Sequence, residues 1–402
     1  MALRTRILFV DDEPLVLQGL QRLLRNMRAE WDMVFVDSGA KGLEAIAEAP
    51  FDVVVADMRM PGMNGAEFLD RVMAISPGTI RLVLSGHADS DLILQAEGSA
   101  HQFLSKPCDP EILRSVIQAA SDIGGRMRSG EIRAVLGSIS HLPVIPATYQ
   151  EILGLVGLEA TTVADLGRVI QRDPAMTANI LKLVNSAYFG LRQRVSDASE
   201  AVSFLGVDTI KSLALVYGIF EQVKKLPPHF SGANLWQHSL ELATASREIA
   251  RLEGLGRDAQ ADCFTGALLH DVGLLILASG FPEEYAQVAH ILAVEPVEIL
   301  EAEMRVLGVH HGEVGGHLLG LWGIPAAVVD TIVHHHAPPP KVGICPSLIV
   351  YATETMSASH GDCSVFGLQR ACDTGFLTAA LGPRLEAWAR ILDHTRDAGG
   401  GK

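Results

Sequence analysis

This chain lacks long uncharged runs, paired cysteines and any excess of basic residues, and each absence excludes something. No stretch of about 18 residues is free of charge, so a membrane-spanning helix is not expected. The most apolar window, residues 267–281, is interrupted by His270 and Asp271. The cysteines Cys108, Cys263, Cys345, Cys363 and Cys372 form no CxxC pair and leave one odd, which fits reduced thiols that serve packing and excludes a cysteine zinc knuckle. The N-terminus reaches acidic residues within a dozen positions and has no basic, long-apolar, small-residue order of a secretion signal. A cytoplasmic location follows as the expectation. With 32 Lys+Arg against 47 Asp+Glu, the net charge of −15 repels phosphate backbones and anionic lipid, so neither direct DNA binding nor membrane attachment is expected.

What is present is globular in composition, 48% hydrophobic and 20% charged. A length of 402 residues exceeds what one core fills, since single cores stop growing near about 250–300 residues. Two domains are therefore expected. From Arg6 onward, short β-branched runs at residues 7–10, 33–36, 53–55, 82–84 and 102–104 alternate with amphipathic segments. Five βα units imply a doubly wound α/β domain with a five-stranded parallel sheet covered on both faces. Ligands of such sheets sit beyond the carboxyl ends of the strands, where the strand order reverses. The polar residues fall in those places. Asp11 and Asp12 follow the first run, Asp57 follows the third, Ser85 the fourth and Lys106-Pro107 the fifth.

Clustered carboxylates raise one another's pKa unless a hard divalent cation sits among them, and magnesium is the natural occupant. An Asp beside that ion can attack a phosphoryl donor to form an acyl phosphate, with Lys106 and the Ser85 hydroxyl holding the phosphoryl oxygens. Any one of these Asp residues alone reads better as a cap of the following helix. The full set does not.

The segments 10–13 (Val-Asp-Asp-Glu), 57–65 (Asp-Met-Arg-Met-Pro-Gly-Met-Asn-Gly), Ser85-Gly86 and Ser105-Lys106-Pro107 resemble the signature set of two-component response-regulator receivers. The resemblance spans residues 4–122 and implies a flavodoxin-like receiver domain phosphorylated on Asp57 by a histidine kinase. It implies Mg2+ held by Asp11, Asp12, Asp57 and the Arg59 carbonyl, and an aromatic switch at Phe103 that, lacking a phenol, reads out by packing alone.

A hinge, residues 123–134, follows. Apolar residues then recur at helical spacing and strand-like alternation is scarce, so the remainder is expected to be all α. The segments Asp173-Pro174, 185–190 (Asn-Ser-Ala-Tyr-Phe-Gly), Phe204-Leu205-Gly206, 235–239 (Leu-Trp-Gln-His-Ser), 268–273 (Leu-Leu-His-Asp-Val-Gly) and 321–325 (Leu-Trp-Gly-Ile-Pro) resemble the HDOD domain, an all-helical relative of the HD phosphohydrolases. That resemblance implies an HD-like helical domain at 135–340 that serves signalling or protein interaction. A C-terminal helical extension at 341–396 and a disordered tail at 397–402 complete the expected organisation.

HD hydrolases hold transition metals with histidines, an adjacent His-Asp pair and a late carboxylate, because imidazole and carboxylate suit Fe, Mn or Zn. The matching positions here are His238, His270, Asp271, His310-His311, the run His334-His335-His336, and Glu354. From these, His238, His270, Asp271, His311, His334, His335 and Glu354 are the candidate ligands. A retained metal and a buried hydrogen-bond network are both open readings of the set. Hydrolysis is disfavoured by three departures: Leu274 stands where the hydrolases have lysine, Ala337 and three prolines where they have an acidic residue and Gly-Tyr-Pro, and Asn234 where they place a Glu ligand.

The expected function is that of a response regulator whose HDOD output acts by binding an unnamed downstream protein or a ligand. A receiver-gated, metal-dependent phosphohydrolase and a non-catalytic binder of a nucleotide or cyclic dinucleotide are the alternatives. Arg168, Arg172, Lys182, Arg192 and Arg194 would assist an anionic ligand, though solvated helix faces explain them equally. Receivers often dimerise, so a homodimer is among the implied partners.

Overall fold

The computed structural model describes residues 4–76, 78–85, 99–106, 113–114, 116–118, 147–156, 162–172, 174–184, 195–223, 226–227, 230–322, 324–339, 343–359 and 375–399. The chain divides into two compact units, residues 1–144 with 317–324, and residues 145–316 with 325–402.

In the first unit, β1 (Thr5–Val10), β2 (Trp31–Val36), β3 (Val53–Asp57), β4 (Ile80–Ser85) and β5 (Gln102–Ser105) form one sheet in the order β2-β1-β3-β4-β5. Every described pairing is parallel. β3 and β4 are buried along their whole length, which explains why they read as continuous apolar runs instead of alternating ones. Helices α1 (Pro14–Leu23), α2 (Gly39–Glu48) and α3 (Gly65–Ile75) connect them. Ser38 caps α2 by accepting from the Lys41 amide, and Asn64 caps α3 by accepting from the Glu67 amide at 2.9 Å. Leu8, Val54, Phe68, Leu69 and Val83 join in one core. From β1 the chain goes to one side, to β2, and then returns to the other, to β3. The switch point thus lies between β1 and β3, where Asp11 and Asp57 emerge.

The second unit contains only helices among its described residues. These are α4 (Ala147–Val156), α5 (Val163–Gln171), α6 (Pro174–Val184), α7 (Ala198–Leu205), α8 (Val207–Gln222), α9 (Gly232–Leu252), α10 (Arg257–Leu269), α11 (Val272–Gly280), α12 (Pro282–Val294) and α13 (Ile299–Leu307), then the first half of α14 (His311–Leu321), whose residues from His317 group with the first unit, and α15 (Ala326–Val333), α16 (Pro346–Ser359), α17 (Gly375–Leu381) and α18 (Arg384–Gly399). One core gathers Ile152, Ile170, Ile180, Val202 and Ile210 from α4–α8. Another gathers Ile249, Cys263, Ile349, Leu377 and Trp388 from α9, α10 and α16–α18. Trp388 is fully buried and donates its indole N–H to Glu253 Oε1 at 2.9 Å. Burial pushes the Cys263 thiol up to about 12, as a cysteine used for packing should show.

Two expectations need adjustment. The stretch Arg257–Gly280 does reach the length and mean hydropathy of a membrane span, yet 83% of its apolar window is buried inside the protein, and the His270-Asp271 turn interrupts it. Helix α18 continues to Gly399, so the tail expected from Asp397 begins no earlier than residue 400; residues 400–402 lie outside the described ones. The hinge at 123–134, Asp173, the segment 185–190, Arg192, Arg194 and the Phe103 side chain also lie outside them.

Candidate phosphoacceptor site and candidate metal centre

At the mouth of the sheet, the parallel ladder pairs Val10 with Ala56 and so brings Asp11 and Asp57 side by side. Both are buried, while Asp12 is half-buried. Lys106 follows β5 and crosses to them: its Nζ donates to Asp11 Oδ2 at 2.8 Å and also to Asp57 Oδ1. The free oxygens are held by the backbone, Asp57 Oδ2 by the Arg59 amide at 2.9 Å and Asp11 Oδ1 by the Glu13 amide at 2.9 Å. Ser85, buried at the end of β4, accepts from the Lys106 amide through its carbonyl at 2.6 Å. Gly65 is required beside the acceptor, because a Cβ there would run into the Asp57 carbonyl.

Burial pushes the Asp57 carboxyl above its ordinary range although Lys106 opposes it. The Lys106 ammonium is also raised; burial works against its charge, but the hydrogen bonds to Asp11 and Asp57 outweigh that. The two shifts agree on one point. Among the described residues two carboxylates, Asp11 and Asp57, share the one ammonium of Lys106, so the site carries surplus negative charge in a partly desolvated place. That oxygen set suits a hard divalent cation such as Mg2+.

In the helical unit, the candidate ligands come together from elements far apart in the chain. His238 sits on α9, His270-Asp271 forms the turn between α10 and α11, His311 starts α14, His335 and His336 lie in the turn after α15, and Glu354 is on α16. Gly273 makes this convergence possible, since a Cβ there would run into the His311 carbonyl. The ligand atoms of Asp271, His311, His335 and His336 all lie within 4.8 Å of one another, as do those of His238, His270 and Glu354. His270 Nε2 joins the two groups, 3.3 Å from Asp271 Oδ2 and 3.7 Å from Glu354 Oε2.

The tautomers follow from the carbonyls. His270 Nδ1 donates to Ala267 O at 2.6 Å and His335 Nδ1 donates to Ile332 O at 2.6 Å, so in the neutral rings both Nε2 atoms present lone pairs inward. His311 Nε2 lies 3.1 Å from both His335 Nε2 and His336 Nε2. His311 Nε2 and His335 Nε2 crowd Asp271 Oδ1 at 3.3 and 3.4 Å, yet that oxygen and His270 Nε2 are buried outside hydrogen-bond geometry. Imidazole lone pairs converging on an unsatisfied carboxylate oxygen repel one another unless a proton or cation lies among them. The N/O donor set fits Fe, Mn or Zn.

The charges are polarised accordingly. Burial opposes the Asp271 anion, but His270, His311 and His335 outweigh it and hold its carboxyl well below the usual range. Burial also opposes the His311 cation, yet Glu303 and Asp271 raise it to about 9. Burial lowers His335 to about 4, and lowers His310 to about 4 with help from His311.

His334 is not brought to this centre. Its side chain is 43% exposed and turns back to Asp330, with Nδ1 donating to the Asp330 carbonyl at 2.9 Å, and His336 occupies the inward place expected of it. Arg168 and Arg172 form surface ion pairs with Asp165 and Glu151. Two residues were not legible as part of the site: Glu303, which accepts from His311 Nδ1, and Tyr285, whose hydroxyl donates to Glu303. The available signal was Glu303 sharing the helical face of Ile299 and Ala302, where an amphipathic pattern wants an apolar residue.

Residues 7–118 match the response regulator receiver domain and residues 142–338 match the HDOD domain. An uncharacterised protein of Treponema pallidum is 28% identical over 205 residues, 50% of this chain and 39% of its own length. The hydrogenase transcriptional regulatory protein HoxA of Cupriavidus necator is 32% identical over 121 residues, 30% of this chain and 24% of its own. This chain thus spans less than half the length of either relative. Among solved structures, an HDOD domain protein of unknown function from Geobacter sulfurreducens superposes with a TM-score of 0.52 at 21% identity, covering 72% of this chain and 91% of that one. A Shewanella amazonensis protein provisionally described as a phosphohydrolase superposes with a TM-score of 0.53 at 24% identity, covering 66% and 95%. At these identities the likeness concerns fold.

Proposed function

We propose, starting from a chain that carries a response regulator receiver domain followed by an HDOD domain, that it is a phosphorylation-operated signalling protein acting through binding. A histidine kinase supplies the phosphoryl group. An Asp57 carboxylate oxygen attacks phosphorus in line, the bond from phosphorus to the kinase imidazole breaks, and an aspartyl phosphate results. Mg2+, held by Asp11, Asp12, Asp57 and the Arg59 carbonyl, would neutralise charge on the carboxylates and the incoming phosphoryl oxygens. Lys106 Nζ, already against Asp57, transfers its hydrogen bond to a phosphoryl oxygen, and the Ser85 hydroxyl takes another. The observation that carries this reading is the Lys106 ammonium bridging Asp11 and Asp57 from 95 and 49 residues away. Acetyl phosphate with Mg2+ should label the wild type and leave Asp57→Asn unlabelled. Labelling that persists in the variant would sink the assignment.

For the helical unit we infer a closed metal centre that organises a binding module. Its support is burial: His270 and His311 are 0% exposed and Asp271 is 3% exposed, whereas a catalytic metal needs an open ligand position. Leu274, where a phosphate-holding lysine would stand, is itself buried. The residues that would hold Fe, Mn or Zn are Asp271, His311, His335 and His336, with His238, His270 and Glu354 beside them. Phosphorylation then shifts which downstream protein the module binds, an equilibrium that needs only a few kcal/mol of differential interaction. Elemental analysis of the purified protein tests the metal. Turnover of a cyclic dinucleotide by the wild type and not by Asp271→Ala would replace this reading with the hydrolase one.

A further inference from the structure

The metal centre is gripped from outside by a buried pair that supplies no ligand. Glu303 on α13 is 0% exposed, and its hydrogen bonds come from Tyr285 Oη on α12 at 2.5 Å and from His311 N and Nδ1 on α14 at 2.9 and 2.8 Å. Among the described residues no Lys or Arg forms an ion pair with it. Burying a carboxylate on those terms is costly, and an aliphatic residue would complete the face of Ile299 and Ala302 at less cost. The arrangement makes sense through the imidazole it holds. Accepting from Nδ1–H fixes the His311 tautomer and aims the Nε2 lone pair at the place where Asp271, His335 and His336 converge, while the anion makes that nitrogen a stronger donor to a cation.

We propose that Glu303 is a positioning residue for His311 as a metal ligand, and that the Tyr285 hydroxyl positions Glu303 in turn. This rests on the reading of the centre as a metal site. Because Glu303 also holds the His311 backbone amide, the same contact fastens the start of α14 to the α12–α13 pair. Metal occupancy is thereby mechanically tied to those two helices, which carry no ligand of their own.

The test uses the full chain and Zn2+ alone, with affinity read by competition against a chromophoric chelator. Glu303→Gln should weaken Zn2+ binding by about tenfold to a hundredfold, and Tyr285→Phe by less, in line with the loss of an outer-shell partner. Each should also shift the visible absorption of bound Co2+, which a merely structural role would leave in place. Hydrogen exchange at residues 282–307 should quicken when metal is stripped from the wild type and change little on stripping Glu303→Gln. If Glu303→Gln does not fold, Tyr285→Phe decides. Wild-type binding that His311→Ala abolishes, with both outer variants within about twofold of wild type and an unshifted Co2+ spectrum, overturns the relay alone. No uptake of Zn2+ or Co2+ by the wild type overturns the metal reading, and the relay falls with it.

Discussion

The two acidic centres of this chain solve opposite problems with overlapping residue types. At the mouth of the sheet, carboxylates gather around one ammonium that is 26% exposed, and the surplus negative charge waits on groups that arrive from solvent. In the helical unit, imidazoles crowd the carboxylates of Asp271 and Glu354 in a place that solvent hardly reaches. The first arrangement is suited to a transaction with a donor molecule, since its partners can exchange hydrogen bonds with an incoming phosphoryl group. The second is suited to permanence. Chemistry on a protein is set as much by which groups remain accessible as by which groups are present.

The comparison predicts unequal responses to substitution. The largest belongs to the open site: Lys106→Ala removes the ammonium that bridges Asp11 and Asp57 and should slow labelling by acetyl phosphate by about a hundredfold, measured under Mg2+ saturation. Labelling at the wild-type rate would mean that this ammonium is only structural. Next comes the closed site, where Asp271→Ala should bring bound metal down by at least about tenfold while His334→Ala leaves it unchanged, both read by elemental analysis. Equal loss in the two variants would mean that inward and outward histidines do not differ in holding the ion.

The smallest effect is on stability in metal-free protein. His310 and His335 have folded pKa values lowered to about 4, so between roughly pH 6.5 and 4 the unfolded chain binds protons that the folded one does not. Stability is therefore lost as pH falls through that window, by about 1.4 kcal/mol per pH unit for each histidine at most. His311, raised to about 9, acts in the opposite sense: its contribution is complete below about pH 6.5 and is lost as pH rises through 9. Thermal melts across pH should show both limbs, and His310→Gln should flatten only the acid one.

The first domain was legible because a parallel sheet converts sequence position into spatial position. Whatever follows a strand lies at one mouth, so Asp11, Asp57, Ser85 and Lys106 could be grouped before any coordinate was known. Helices offer no such rule. The adjacency of His270 and Asp271 was readable, but the choice among His334, His335 and His336 depends on a turn after α15, where no periodicity fixes direction. Glu303 escaped because a Glu in an amphipathic helix ordinarily faces water; its place on the face of Ile299 and Ala302 was the one hint, and the packing of α12 against α13 buries it. At the end of α18 a glycine-rich terminus suggests fraying, while Trp388 and Leu392, both fully buried, anchor the helix from its other end.

Glu354 lies sixteen residues past the last position matched to the HDOD domain, on a helix that also supplies Thr353 to a buried hydrogen bond with Ser246 at 3.0 Å. A fragment cut at residue 338 would retain every histidine of the centre and yet be missing a carboxylate and one wall. Assayed alone, such a fragment would report on a leaky vessel, and its failure to hold an ion would say nothing about the intact protein.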